Sequence, residues 1–161
     1  MDGHIVLLGL MGSGKTTVGA VLAERLGRPH RDSDADIERE HGRNGREIAA
    51  SDGVDHLHAL EARHLLAALA DPRPAVISAA ASVVEDPVCT AALERPDVHV
   101  VWLRGEPAVL AEQASTGGHR RDAGDVATLA ARRAPLFTRL ADSTVVVDAM
   151  SADEIVATLL G

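Results

Sequence analysis

The amino-acid sequence predicts an α/β protein built on a parallel sheet, and three observations carry that reading. Short continuous apolar runs alternate along the chain with stretches of helical periodicity. The first apolar run leads straight into a glycine-rich turn that opens a helix. The chain has 161 residues, of which 46% are hydrophobic and 25% charged, so one globular domain over residues 1–161 is expected. Its core must be aliphatic, because Trp102 and Phe137 are the only aromatic residues.

Taken in order, Ile5-Val6-Leu7-Leu8 is a strand that would be covered on both faces. A helix follows over about 15–26. A second strand near 29–33 is expected from position alone, since its residues are polar. Helices are predicted over about 34–41, 45–51 and 54–70; in the last, Leu57, Leu60 and His64 share a stripe with Leu65 and Leu69 beside it. Ala75-Val76-Ile77 is the third strand and 98–103 the fourth. Helices are predicted over about 106–115 and 125–140, and Val145-Val146-Val147 is the fifth strand. A final helix over 151–160 opens with Ser151 and Glu154, the spacing of a capping box. Between the last two strands, residues 115–125 form a glycine-rich, basic, weakly apolar segment with the composition of a lid.

Charge excludes several classes. Sixteen Lys and Arg stand against 24 Asp and Glu, a net charge of −8. A general nucleic-acid binder or a membrane-surface protein would show a basic balance instead. No apolar run approaches the roughly 20 residues needed to span a bilayer. The single cysteine, Cys89, rules out an intrachain disulfide and reads as a small buried hydrophobe. Met1-Asp2-Gly3-His4 enters the first strand without a basic leader, so a cytoplasmic, monomeric protein is expected. His56 and His58 are two apart on one helix and point in different directions, so they cannot chelate one ion; His41, His56 and His64 read as surface or packing residues rather than metal ligands.

The chemistry is carried by Gly9-Leu10-Met11-Gly12-Ser13-Gly14-Lys15-Thr16, which satisfies the P-loop pattern between a strand and a helix. Its glycines let successive backbone N–H groups face phosphate oxygens, and the helix adds the positive end of its dipole. Gly12, Ser13, Gly14, Lys15, Thr16 and Thr17 are the expected nucleotide-binding residues. Lys15 would reach the β- and γ-phosphates of ATP, and the Thr16 hydroxyl would hold Mg²⁺. Asp32-Ser33-Asp34 ends the second strand, where carboxylates face the ligand crevice of α/β folds. One carboxylate can orient the hydrated metal and the other can accept a proton from an acceptor hydroxyl. The competing reading is an acidic helix cap.

Gly9 to Thr17, then Asp32-Ser33-Asp34 with Ile37-Glu38, Asp52-Gly53 with Glu61, Arg132-Arg133-Ala134-Pro135-Leu136-Phe137 and Ala141-Asp142 to Val147-Asp148 resemble the shikimate kinase family. The motifs run in family order over nearly the whole chain, and the Arg-x-Pro-Leu-aromatic segment is the most discriminating. The resemblance implies a nucleoside-monophosphate-kinase-like fold, with a five-stranded parallel sheet in the order 2-3-1-4-5. It also implies an acceptor-binding helical region over about 34–70, a closing lid and ATP- and Mg²⁺-dependent phosphorylation of the shikimate 3-hydroxyl. It makes Asp32 the metal partner, Asp34 the ligand of the acceptor hydroxyls and Arg133 the grip on the acceptor carboxylate.

Three departures stand out. The family's second carboxylate-binding arginine falls at His58, a weaker donor than a guanidinium. Its triple-glycine turn falls at Ala79-Ala80-Ala81, where each Cβ narrows the wall and a positive φ would be strained. The lid is short, and its arginine is Arg120 or Arg121. The expected catalytic set is therefore Lys15, Asp34, Arg120 and Arg121; the expected acceptor set is Asp34, His58, Ala80 and Arg133. Shikimate is the default acceptor. A cyclitol, sugar-like or specialised-metabolite hydroxyl is the alternative, and a non-catalytic ATP sensor is the remaining one.

Overall fold

The computed structural model describes residues 1–10, 12–106 and 123–161. Five strands form one sheet in the order β2-β3-β1-β4-β5. They are β1 (His4–Leu8), β2 (His30–Asp32), β3 (Val76–Ser78), β4 (Val98–Arg104) and β5 (Ser143–Val146), and every neighbouring pair is parallel. The expected topology is the observed one. The central strand β1 is buried along its length and alternates across the sheet. Ile5 and Leu7 pack on one face with Val18, Leu22, Val101 and Ile155. Val6 and Leu8 pack on the other with Leu65, Ile77, Val100 and Phe137. The two aromatics stack at a centroid distance of 5.3 Å.

The helices are α1 (Lys15–Leu26), α2 (Ser33–His41), α3 (Gly45–Asp52), α4 (Val54–Ala70), α5 (Pro87–Leu93), α6 (Ala123–Leu140) and α7 (Ala152–Leu160). A 3₁₀ turn over Ala81–Glu85 and helix α5 fill a stretch to which the sequence assigned no element. Asn44 caps α3 and Ser151 caps α7, each in a complete capping box. Strand β5 begins two residues before the apolar run that predicted it. The remaining boundaries lie within two residues of expectation. Helix 106–115 and most of the 115–125 lid fall outside the described residues. Among the described residues, no helix is long and apolar enough to cross a membrane.

Two small devices fix the helices that flank the site. The Ser78 hydroxyl at the end of β3 donates to the Lys15 carbonyl at 2.6 Å, and His30 Nε2 meets the same hydroxyl at 2.9 Å. Burial pulls the His30 imidazole below its usual range against the pull of Asp32 and Asp36. It is therefore neutral and donates through Nε2 to the serine oxygen. Behind α2, the Asp36 carboxylate takes hydrogen bonds from His64 of α4 and from Arg39, both at 2.7 Å. That contact joins the two helices of the expected acceptor region.

Candidate active site

Strand β1 ends at Leu8, and the chain turns at once. A Cβ at Gly9 would lie 2.7 Å from both the Leu103 carbonyl oxygen and the Ser13 hydroxyl, so only glycine allows β4 to approach this closely. Gly14 caps α1 in the left-handed region, at φ 92° and ψ 18°, which a side chain would strain. The first turn of α1 carries no acidic residue. Its N–H groups and dipole are thus left for an incoming anion. Ser13 is buried and Gly12 half-buried, whereas Gly14, Thr16 and Thr17 are exposed. Lys15 folds back across the turn and donates to the Gly9 carbonyl.

Strand β2 delivers Asp32 beside this loop. Its Oδ1 accepts the Thr16 hydroxyl at 2.7 Å, and its Oδ2 accepts the Ala35 N–H at 2.9 Å as the cap of α2. The helix-cap reading of this aspartate therefore holds for Oδ2, while Oδ1 is paired with the Thr16 hydroxyl. A hydroxyl and a carboxylate oxygen side by side form a hard donor set of the kind that Mg²⁺ takes when phosphate oxygens and water supply the rest.

The P-loop, α2, α4, the β3 turn and α6 line one cleft that opens to solvent. Lys15, Thr16, Asp32, Asp34, His58, Ala80 and Arg133 all line it, so the structure brings together the expected phosphate, metal and acceptor residues. Burial pushes the Lys15 ammonium below its usual range, while Asp34, Glu61 and Asp32 pull it back. Glu61, one turn along α4 from His58, accepts the Ser82 hydroxyl at 2.9 Å. Burial raises its carboxyl against that bond, and Asp34 adds to the rise. Arg133 is buried, and its Nη2 donates to Glu85 at 3.3 Å.

One expectation is corrected here. The alanine turn carries no backbone strain: Ala80 sits at φ −66° and ψ 145°. Among the described residues, the one non-glycine with positive φ is Ala149. The three methyls reshape the wall without distorting the chain. His64, read as surface or packing, is a packing residue bonded to Asp36; His41 and His56 are exposed. Arg120 and Arg121 lie outside the described residues.

The sequence reading gave no role to Glu61, Ser82, Ser78 or Glu85. Glu61, present only as a motif residue, could have been given one, because it lies three residues from His58 and shares its helix face. Ser82 and Glu85 carry no local signal, since their partners are 21 and 48 residues distant.

The family model for shikimate kinase matches residues 11–161. A shikimate kinase of Symbiobacterium thermophilum is 36% identical over 98% of this chain and 94% of its own length. One of Moorella thermoacetica is 37% identical over 85% of this chain and 81% of its own. Among solved structures, the shikimate kinase of Acinetobacter baumannii in complex with shikimate superposes with a TM-score of 0.89 at 26% identity. It covers 98% of this chain and 90% of that one. With a P-loop, an acidic strand end and a basic α6 residue opening on one cleft, the chain belongs to the shikimate kinase family of ATP- and Mg²⁺-dependent phosphotransferases that act on a hydroxyl group.

Proposed function

We propose that this chain transfers the γ-phosphoryl group of ATP to the 3-hydroxyl of shikimate. The observation that carries this reading is the convergence of Lys15, Asp34 and Arg133 on one cleft, with the Thr16–Asp32 oxygen pair at its edge. In it, Lys15 exchanges the Gly9 carbonyl for phosphate oxygens and offsets charge that builds during transfer. The amides of Gly12, Ser13 and Gly14 cradle the phosphates, with Thr16 and Thr17 following at the helix start. Thr16 and Asp32 would hold Mg²⁺, which when bound neutralises phosphate charge. Asp34 is exposed within the cleft; it orients the acceptor hydroxyl and accepts its proton. Arg133 takes the acceptor carboxylate, His58 donates to the acceptor, and Ala80 shapes the wall. Arg120 or Arg121 would complete the phosphate contacts from a lid over 115–125. The whole of 1–161 works as one unit, with 34–70 as the acceptor region, and acts as a monomer in the cytoplasm.

A second reading, an acceptor of the cyclitol or sugar-like class, is favoured by one observation: the cleft wall carries His58 and three alanine methyls, in a protein whose Arg133 already has an internal carboxylate partner. The test is an ADP-release assay over shikimate, quinate, cyclitols and hydroxy acids. Release that depends on shikimate supports the first reading, and release that depends only on an uncharged polyol supports the second. ATP binding without acceptor-dependent turnover anywhere in the panel would leave a nucleotide sensor.

A further inference from the structure

The five-residue 3₁₀ turn Ala81–Glu85 lines the cleft through Ala81 and Ser82, and carries two polar side chains that reach neighbouring helices. A 3₁₀ helix has three residues per turn, so residues three apart project from one side. Ser82 and Glu85 are that pair. Ser82 donates to Glu61 on α4. Glu85 reaches α6, where its carboxylate sits between two successive arginines. Arg132 donates through Nε to Oε1 at 2.6 Å and through Nη2 to Oε2 at 3.3 Å. Arg133 Nη2 donates to the same Oε2 at 3.3 Å.

The three side chains are not equivalent. Arg132 is 57% exposed and Glu85 30%, but Arg133 is only 7% exposed and lines the cleft. An Arg132–Glu85 pair alone would be an ordinary half-exposed ion pair of small consequence. Its second partner changes that. A guanidinium grips a carboxylate through a planar fork, and the fork works only when its plane and edge are correctly aimed. Side chains that bind substrate depend on neighbours that lock them in that aim. Arg132 pins Glu85 at two points, and the pinned carboxylate holds one Nη of Arg133 from the side of the 3₁₀ turn.

We propose that Glu85 is a positioning residue for acceptor binding: it sets the orientation of the Arg133 guanidinium, and Arg132 serves to hold Glu85. This rests on the reading of Arg133 as the partner of the acceptor carboxylate. Glu85 is not among the residues that line the cleft, and it bonds to the two arginines of α6. Its removal therefore acts on the acceptor KM and leaves the chemical step and the ATP site alone.

The experiment is steady-state kinetics with shikimate and ATP for wild type, Glu85→Ala, Glu85→Gln, Arg133→Ala and Glu85→Ala/Arg133→Ala. Glu85→Ala should raise the shikimate KM about tenfold, as a misaimed binding group does, with kcat within about twofold and the ATP KM unchanged. Glu85→Gln keeps an accepting oxygen and should recover part of the loss. In the Arg133→Ala background, Glu85→Ala should add nothing, since its effect passes through the arginine. If wild type leaves shikimate unphosphorylated, the acceptor reading falls and the role of Glu85 falls with it. If wild type turns shikimate over, the role of Glu85 alone is overturned by any of three results. These are an unchanged KM in Glu85→Ala, a lowered KM (the carboxylate competing for Arg133), or additive effects in the double variant.

Discussion

Lys15 stands among Asp32, Asp34 and Glu61 with its ammonium folded onto a backbone carbonyl. Nothing in the core depends on it, so Lys15→Ala should fold normally and lose phosphoryl transfer by about 10²–10⁴ in kcat. Circular dichroism beside an ADP-release assay separates the two properties. Glu61 answers to pH in the opposite sense from a surface carboxylate. Burial raises its pKa in the folded protein, so its charge is tolerated less well in the native state than in the unfolded chain, and stability falls as pH rises through the raised value. Glu61→Gln should therefore melt higher than wild type at pH 8, with the difference vanishing as both approach about pH 4. His58 lines the cleft where a guanidinium would give a charge-assisted fork. His58→Arg should lower the shikimate KM by about tenfold, the equivalent of one such contact. An unchanged KM would remove His58 from the acceptor's surroundings.

Helices α2 and α4 carry the acceptor side of the cleft, and the bond between Asp36 and His64 is buried at both ends. Burial alone would raise the Asp36 carboxyl, but the hydrogen bonds from His64, Arg39 and Arg31 outweigh it and hold it below the usual range. Its stabilisation is complete above the ordinary carboxylate range and is lost as pH falls through the depressed value. Urea unfolding should show wild type weakening below about pH 4, and Asp36→Asn should flatten that slope while costing about 1–3 kcal/mol at pH 7. The elements also show what a sequence reveals. The P-loop and the Ser151 capping box are local patterns, legible because their partners lie within a few residues; the Asn44 box is equally local and went unread. Strand β2 was legible only by position: it is three residues long at the edge of the sheet, where His30 and Arg31 need not be apolar. The Ala81–Glu85 turn hid because Val83 and Val84 are both buried, which erases helical periodicity. In the site, Lys15, Thr16, Asp32 and Asp34 could be read directly. The Ser82–Glu61 and Glu85–Arg133 contacts exist only once α4 and α6 pack beside the 3₁₀ turn.

Across the whole molecule, the sheet's carboxyl ends gather the loop after β1, the aspartates after β2 and the alanine turn after β3 around one cleft. A ligand seated there ties together segments distant in sequence. MgATP at 100 times its Kd should raise unfolding free energy by about 2.7 kcal/mol. A thermal-shift titration of wild type against Lys15→Ala would show whether that gain depends on the lysine. The lone thiol offers a second view of the same coupling. Cys89 is wholly buried against α4, its Sγ 3.8 Å from the Ala62 carbonyl. Burial, with Asp86 nearby, pushes its pKa up to about 12. Such a thiol is chemically silent while the seam between α4 and α5 stays shut, and becomes reactive when it opens. The protein thus contains its own breathing gauge. An aromatic disulfide reagent should label the native state slowly and at one site. Shikimate, by bracing α4, should slow the reaction further, so that acceptor binding is recorded as a falling rate of colour release.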